Sequence, residues 1–386
     1  MSDQFKNFAK SRVATAPSPA TTGTSLVVTT GHGTRFPTVP FNVVIYPVGQ
    51  EPTPENAEIA TATVKSTDTL TIVRAQEGTT ARSIIVGDQI AQVSSKAFFE
   101  LFEKGILNVK MLGAKGDGTT DDAAAITAAY AALPSNGGIL YFPPGQYRID
   151  SALTFATVGK RVLLQGQPGS VSRITYTPTT GVALTFNYGN DLDMGHGMRD
   201  LGLIGAANNN ASKGVVVGGA NGAQGFLMDN CKIRTFGTGV EIGSHVWITT
   251  FRHSMIRDCT TLMVLPTGLT ETGEQIDFDH VTFADSPSPH TNSVWIKDHA
   301  NMVTFRACSF DQAQLSIGDG VSTGARVAAI GCHFENPNLG TNYDFIVQSN
   351  HNNNFLRLTD CNMEQAKTSA GPTQLMTLSG GKVHIA

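Results

Sequence analysis

The chain has 386 residues with 27 basic and 31 acidic side chains, so its formal net charge is −4 at pH 7. No basic block stands out, which excludes nucleic acid as the main partner because phosphate binding requires clustered lysine and arginine. No stretch of about 18 apolar residues occurs, so we expect no membrane span. The first residues also lack the apolar segment of a signal peptide.

The five cysteines are an odd number and include no CxxC pair. Neither a zinc site nor a disulfide framework is therefore expected. We expect free, buried thiols in a protein made in a reducing compartment, without a bound metal or cofactor.

Residues 1–93 are predicted to form a small all-β domain. Short runs rich in Thr, Val and Ile alternate with Gly and Pro turn signals, and the runs are TSLVVTT, FNVVIYP, EIATATV, TLTIVRA and RSIIVGDQI. Residues 94–106 then predict a helical linker, because SSKAFFELFEKG can be capped by Ser94 or Ser95 and ended by Gly105.

A repeat dominates the rest of the chain. A small or apolar residue recurs every 23 to 30 residues at Leu201, Cys231, Ser254, Val281, Cys308, Cys332 and Cys361. Each unit holds about three short strands, which predicts a coil whose turns bury the same inward positions against one another. A propeller blade would need about 40 residues. The repeat therefore predicts a parallel β-helix in which four of the five cysteines share one inward column as small apolar residues.

The segment from Met111 to Ile149 precedes these repeats and is predicted to contain a capping helix. Thr119 or Thr120 is the expected N-cap, and carboxylates in the first turn favour the positive helix end. The expected apolar face is formed by Ile126, Tyr130 and Leu133. We expect the helix to cover the open end of the coil. The nearby acids, expected to be structural rather than metal ligands, are Asp117, Asp121 and Asp122.

This segment resembles the opening motif of the pectate-lyase-like superfamily, with GAKGDGTTDDAAAITAAYAAL followed by GGILYFPPGQYRI. The resemblance implies an all-β fold in which residues 107–386 form a right-handed parallel β-helix. It also implies a short α-helix as the N-terminal cap and a small β-rich domain in front. Many members are bacteriophage tailspikes and polysaccharide depolymerases, and tailspikes of this architecture are usually trimers, so a homotrimer is expected.

The N-terminal domain, with RAQEGTTARSIIVGDQI, is similar to domains of phage tail-associated proteins. This similarity implies that residues 1–93 attach the β-helix to a phage tail or baseplate protein. The expected product is a virion protein, made in the cytoplasm of the host bacterium, whose partner is a host-surface polysaccharide.

One outward column of the predicted coil is acidic. Three residues after the recurring position stand Asp311, Glu335 and Glu364 on successive turns. Neighbouring strands lie about 4.8 Å apart and alternate strands about 9.6 Å apart. The first spacing suits a retaining glycosidase and the second an inverting one, so these acids are the candidate catalytic residues.

Other outward side chains are candidates for binding the substrate. His280 and His333 could bind sugar hydroxyls or assist proton transfer, and Trp295 could stack on a sugar ring. Arg257 beside two aspartates is a weak version of a polysaccharide-lyase site. The competing interpretation is a solvated or trimer-contact role for the acids and histidines and a subunit interface for Trp295.

Three functions remain open at this point. The favoured one is a tailspike or tail-fibre-like virion protein that binds a host-surface glycan during adsorption. The alternative is a polysaccharide depolymerase that degrades a capsular or cell-wall polysaccharide, as a glycoside hydrolase rather than a lyase. The second alternative is a purely structural virion spike. Compact repeats leave few long loops to wall a deep groove, which favours binding without catalysis.

Overall fold

The computed structural model describes residues 6–93, 105–169, 171–189, 195–287, 292–297, 302–319, 324–336, 347–349, 353–365, 376–378 and 380–386. The predicted linker helix falls on residues 94–104, which lie outside this set. The chain divides into two compact units, Met1–Gly113 and Ala114–Ala386. None of the helices in the described part of the chain is long and apolar enough to cross a bilayer.

The first unit contains a closed antiparallel barrel with the strand order β1-β2-β5-β4-β3-β6. Its strands are β1 (Lys10–Thr15), β2 (Ser25–Val28), β3 (Phe41–Tyr46), β4 (Glu58–Ser66), β5 (Thr69–Val73) and β6 (Gln89–Gln92). Strand β7 (Ile106–Asn108) follows, and the 3-10 helices are His32–Arg35 and Val109–Leu112. Inside the barrel, the ring of Phe36 stacks on that of Phe41 at 5.7 Å between centroids.

Two details of the barrel differ from the sequence prediction. Strand β1 was not predicted, because its charged residues alternate with only two buried side chains, Ser11 and Val13. The run RSIIVGDQI forms a strand only at its end. Ile85 and Val86 are exposed, and the amide of Ile85 is bonded to the carboxylate of Asp88, so this part of the run is a loop.

A buried ion pair fixes the loop that precedes β6. Glu58 is fully buried and makes a bidentate contact with Arg74, at 2.7 Å to Nε and 2.6 Å to a terminal nitrogen. Burial alone would raise the pKa of Glu58, but hydrogen bonds from Arg74 and from the amides of Ala75 and Arg82 bring it below its usual value. Arg74 also donates to three backbone carbonyls, so both charges are satisfied.

The second unit is a parallel β-coil in which every third strand joins the same sheet. Sheet 1 contains β9 (Gly137–Tyr141), β12 (Arg161–Gln165), β15 (His196–Arg199), β18 (Phe226–Asp229), β21 (Thr249–Arg252), β24 (Ile276–Asp279), β27 (Val303–Arg306), β30 (Arg326–Ile330), β33 (Phe355–Thr359) and β36 (Lys382–Ile385). Sheet 2 contains β8 (Asp117–Asp121), β10 (Gly145–Ile149), β13 (Ser172–Tyr176), β16 (Gly202–Ile204), β19 (Lys232–Arg234), β22 (Met255–Arg257), β25 (Thr282–Ala284), β28 (Ser309–Asp311), β31 (His333–Asn336) and β34 (Asn362–Gln365). Sheet 3 contains β11 (Leu153–Phe155), β14 (Thr180–Phe186), β17 (Ala211–Val217), β20 (Thr238–Ile242), β23 (Thr261–Leu265), β26 (Val294–Ile296), β29 (Leu315–Ile317), β32 (Val347–Ser349) and β35 (Met376–Leu378). The predicted parallel β-helix is confirmed.

Aromatic side chains stack from turn to turn inside the coil. In sheet 1, Phe278 lies between Phe251 and Phe305, at 4.7 and 4.9 Å between ring centroids. In sheet 2, the ring of Phe310 lies 4.5 Å from that of Phe334. These spacings match the distance of about 4.8 Å between neighbouring strands, so register alone brings each ring onto the next.

The recurring position is inward, as predicted. Cys231, Cys308 and Cys332 are buried and Cys361 is half-buried, and all are free thiols. Burial raises the pKa of Cys231 to about 12. The small side chain fits here because the chain bends sharply between sheets 1 and 2.

That bend uses a left-handed residue directly before the recurring position. The residues are Asp200, Asn230, His253, His280, Ala307, Gly331 and Asp360, with φ between 48° and 62°. This backbone region costs most residues about 1–2 kcal/mol but is tolerated by Gly, Asn, Asp and His. Ala307 therefore carries strain that Gly331 avoids.

Helix α1 (Ala123–Ala132) packs on β11, the first strand of sheet 3. The predicted apolar face is confirmed, since Ile126, Tyr130 and Leu133 are buried. Tyr130 contacts Phe155 edge-on at 5.1 Å, and Lys160 donates to the carbonyl of Ala131. The helix therefore covers the first turn of sheet 3, as predicted for a cap.

The predicted N-cap is wrong. Thr119 and Thr120 lie in β8, and the N-cap is Asp122. The Asp122 carboxylate does not cap the helix itself but accepts the amides of Lys115 and Gly116 at 2.6 and 2.9 Å. The acids of this segment are therefore bonded to backbone amides: Asp121 accepts from Ala123 and Asp150, and Asp117 from Thr119 and Thr120.

We predict that Phe278→Ala lowers the free energy of unfolding by about 3–5 kcal/mol, because it leaves a cavity between two stacked rings. Equilibrium urea unfolding followed by tryptophan fluorescence measures the effect. The control is Val158→Ala, which removes a side chain that is 67% exposed and should change stability by less than about 0.5 kcal/mol. Equal stability of the two variants would contradict the stacked core.

Opposite substitutions at the left-handed bend should have opposite effects. Ala307→Gly removes strain and should stabilise the protein by about 0.5–1 kcal/mol, whereas Gly331→Ala should destabilise it by about 1–2 kcal/mol. A Cβ at Gly331 meets nothing within 4 Å, so its cost is purely conformational. Thermal unfolding of the two variants measures both changes in stability. Tm shifts of the same sign would contradict the assignment of backbone strain to Ala307.

We predict that Asp122→Asn destabilises the protein by about 1–3 kcal/mol. Burial raises the pKa of Asp122, but its two oxygens still accept the amides of Lys115 and Gly116. The side-chain amide of Asn has one oxygen, so it can accept only one of these bonds and its NH₂ group would face the other backbone N–H. Chemical denaturation measures the loss. The control is Asp360→Asn, an exposed residue at the left-handed bend, where Asn is well tolerated. Unchanged stability of Asp122→Asn would remove the structural role of this acid.

Candidate functional site

The predicted acidic column exists on the outer face of sheet 2. In the parallel register, Asp311 of β28 is paired with Glu335 of β31, and Glu335 with Glu364 of β34. The inward neighbours Phe310 and Phe334 are fully buried, so the acids alternate with them and point outward. The three carboxylates therefore occupy the same place on successive turns.

Asp311, His333 and Glu335 form a compact group, here called the Asp–His–Glu cluster. One ligand atom from each lies within 4.8 Å of the other two. Asp311 Oδ1 lies 3.8 Å from Nδ1 of His333. Ser309 Oγ donates to Asp311 at 2.6 Å and lies 3.4 Å from the same imidazole nitrogen. All three members of the cluster are half-buried.

Glu364 stands at the exposed edge of this group. It accepts a hydrogen bond from Asn362 at 2.8 Å, within its own strand. Its turn is two turns away from that of Asp311, which corresponds to roughly 9.6 Å. The column thus offers both carboxylate spacings that glycosidases use: Asp311 with Glu335 for retention, and Asp311 with Glu364 for inversion.

Arg257 lies in the same column, two turns before Asp311, with Ala284 between them. Its guanidinium contacts Asp258 at 3.0 Å and Asp285 at 2.5 Å. The predicted Arg–Asp grouping therefore forms, but the positive charge is already neutralised by two carboxylates. This leaves Arg257 poorly suited as a free base or as an anion-binding group.

His280 and Trp295 are not brought to the cluster. His280 occupies the left-handed bend at the start of its strand, about four residues or roughly 13 Å along the strand direction from the acidic column. It contacts Asp279 at 2.9 Å and its ring lies 5.7 Å from that of His253. His280 therefore lies outside the Asp–His–Glu cluster, and its contact with sugar hydroxyls stays a prediction.

Trp295 belongs to sheet 3 rather than sheet 2. Its indole nitrogen donates to the carbonyl of Gly318 at 3.0 Å, and Nζ of Lys297 lies 3.9 Å from the ring centroid. One ring face is thus covered by an ammonium group. Trp295 cannot act as a sugar platform beside the acids of sheet 2.

Within the part of the chain that the structure describes, two groups of side chains could hold a divalent cation. One is the Asp–His–Glu cluster and the other is formed by His253, Asp279 and His280. Both combine carboxylate and imidazole donors, the ligands that many transition metals accept. The sequence analysis expected no metal, because the chain has no CxxC pair and its opening acids lack the ligand spacing of a calcium loop.

A hollow that the sequence analysis missed lies beside the connection from β23 to β24. It has a volume of about 330 Å³ and is lined by Trp247, Glu271, Thr272 and Glu274. An aromatic ring next to two carboxylates can bind a sugar. The available signal was the long interruption between two repeats, in which two glutamates stand three residues apart.

A family model described as rhamnogalacturonase A/epimerase, pectate lyase-like, matches residues 106–210. The capsule K2-specific depolymerase of Klebsiella phage vB_KpnP_KpV74 is 24% identical over 265 residues, which cover 64% of this chain and 44% of the relative. Mannuronan C5-epimerase AlgE4 of Azotobacter vinelandii is 30% identical over 174 residues, covering 39% of this chain and 30% of the relative.

Among solved structures, the enzymatically active domain of tailspike protein 4 from bacteriophage CBA120 superposes with a TM-score of 0.54 at 14% identity. The match covers 78% of this chain and 40% of that one. This chain spans less than half of the length of each of these three relatives. Residues 106–210 thus match a pectate-lyase-like family model, in agreement with the resemblance of the opening motif, and the chain shares the β-helix fold of the CBA120 tailspike domain.

Proposed function

We propose that this protein is a phage tailspike that binds a host-surface polysaccharide and hydrolyses it at the Asp–His–Glu cluster. The observation that carries the proposal is the proximity of Asp311 and Glu335, whose nearest ligand atoms lie within 4.8 Å. A carboxylate pair at about 5 Å is the spacing of retaining glycosidases. The similarity to the capsule depolymerase of a Klebsiella phage supports the same substrate class.

The surroundings of the two acids assign their roles. Asp311 accepts a hydrogen bond from Ser309, and its Oδ1 lies 3.8 Å from Nδ1 of His333, so two neighbouring side chains hold this carboxylate in place. We therefore assign Asp311 as the nucleophile and Glu335 as the general acid and base. Glu335 donates a proton to the glycosidic oxygen while Asp311 attacks the anomeric carbon, which gives a covalent glycosyl intermediate and a released sugar.

The second half of the reaction reverses these roles. The Glu335 carboxylate removes a proton from water as the water oxygen attacks the anomeric carbon and the bond to Asp311 breaks. The product keeps its original anomeric configuration, and Glu335 regains its proton. Glu364 has no role in this retaining scheme. An inverting reaction between Asp311 and Glu364 would require it, so the two schemes can be distinguished.

Attachment and assembly belong to the same proposal. The N-terminal barrel would bind a phage tail or baseplate protein, and the coil would form a homotrimer in the virion. The tailspike architecture of the coil supports this arrangement. A tailspike that binds its receptor without cleaving it is the second candidate, because the cluster stands on the outer face of sheet 2 and its three members are only half-buried.

We predict that Glu335→Gln and Asp311→Asn each reduce glycan cleavage by about 10²–10⁴-fold. Purified capsular and cell-wall polysaccharides are incubated with each variant, and new reducing ends are counted. Glu364→Gln is the matched control, since it makes the same chemical change one strand away and should retain activity. NMR of the first product anomer should show retention.

The other possible results would each lead to a different conclusion about the cluster. Loss of activity in Glu364→Gln, with an inverted product, would replace the retaining scheme by an inverting one. Binding of a polysaccharide by wild type without any cleavage would leave receptor binding as the function. Full activity in both Asp311→Asn and Glu335→Gln would remove the cluster from the chemistry.

A further inference from the structure

A second surface with different chemistry lies on the outer face of sheet 1. Arg326, Phe355 and Lys382 are paired in register on β30, β33 and β36, so they form one outward column. They line a hollow of about 610 Å³ together with Met302, Val327, Ala328, Asn353, Asn354 and Arg357. We call this surface the basic hollow.

The charge of the basic hollow is of one sign. The described residues of its lining include three cationic side chains, Arg326, Arg357 and Lys382, and no acidic one. Among the described residues, Arg326 and Lys382 have no ion-pair partner, and Arg357 donates only to the hydroxyl of Thr359 at 3.2 Å. Arg326 and Lys382 stand on either side of Phe355 in the same column, so an anionic group above the ring would be attracted by both charges.

Earlier turns of the same sheet are built differently. Asp229 lies between Arg199 and Arg252, at 3.5 and 2.9 Å. Asp277 contacts Arg306 at 3.0 Å. Each of these arginines is thus balanced by a carboxylate within the sheet. The contrast shows that the positive charge of the basic hollow is a local property of the last turns described and not a general property of the coil.

The hollow also exposes apolar surface. Phe355 is 41% exposed and Met302 is 49% exposed. Apolar surface beside a few fixed polar groups is typical of small-ligand sites. The ring of Phe355 lies between two cations on adjacent strands, where it can pack on the apolar face of a sugar while guanidinium groups bind anionic substituents in bidentate fashion.

We propose that the basic hollow binds an anionic segment of the polysaccharide, through carboxylate or phosphodiester groups on the repeating sugars. This inference rests on the proposed function and specifies its substrate class as an acidic glycan. The hollow lies on sheet 1 and the Asp–His–Glu cluster on sheet 2. The basic hollow therefore anchors the polymer on a different face from the carboxylates, which repel anionic substituents.

The test compares wild type with the double variant Arg326→Gln/Lys382→Gln by isothermal titration calorimetry. The probes are polygalacturonate oligosaccharides for carboxylates, poly(glycerol phosphate) for phosphodiesters, and neutral dextran. We expect wild type to bind at least one acidic probe, and the double variant to bind it about tenfold or more weakly. The affinity of the variant should also depend less on salt.

Two controls isolate the surface. Lys10→Gln/Arg12→Gln removes the same charge from exposed positions of the barrel and should leave the affinity unchanged. Phe355→Ala should weaken binding without changing its salt dependence, because it removes contact area and no charge. Thermal unfolding verifies that all variants are folded.

The outcomes separate this inference from the proposed function. The inference is overturned if wild type and the Arg326→Gln/Lys382→Gln variant bind the acidic probes equally, or if only neutral probes bind. Neither result affects the proposed hydrolysis at the Asp–His–Glu cluster, which the cleavage assay tests separately. Anionic binding lost in the variant, with no cleavage of any polysaccharide by wild type, upholds the inference and removes the hydrolase. Sedimentation measures the oligomeric state of the variant. If that state changes while glycan binding does not, the basic hollow is a contact between copies of this chain and the inference is overturned.

Discussion

In-register stacking of parallel strands is the constraint on which the rest of the coil depends. Each inward side chain meets the same position one turn away, so neighbouring turns must agree in size and shape. The rings of Phe251, Phe278 and Phe305 satisfy this requirement by lying one above another at about the strand spacing. In sheet 3, the first strand β11 has no described strand on its other side, and helix α1 packs on it.

The same constraint explains how much of the fold the sequence predicts. Recurrence of one small residue and one apolar residue is enough to assign the coil, because stacking forces the pattern to repeat. Strand β1 of the barrel is not part of a repeat. Its two inward side chains alternate with charged residues, so no run of apolar residues marks it. The position of the N-cap also escapes prediction, because Asp122 is committed to distant backbone amides that local sequence does not reveal.

Stacking decides which positions of the candidate site the sequence can place. A fixed offset within the repeat becomes a column, so Asp311, Glu335 and Glu364 were found from sequence. Trp295 alternates with the buried Val294 and Ile296, as its run predicts, but that run forms sheet 3 and not sheet 2. The hollow beside Trp247 and the basic hollow were missed because their residues come from irregular connections or from offsets that the pattern of apolar residues does not mark.

The buried thiol column has a consequence for the chemical resistance of the protein. Oxidants and alkylating agents react with the thiolate, and a thiol with a strongly raised pKa forms almost none at neutral pH. The pKa values of Cys231 and Cys259 are raised by burial to about 12. These two sulfur atoms can therefore stay reduced when the protein is exposed to air. Buried cysteines of this kind act as space-filling groups.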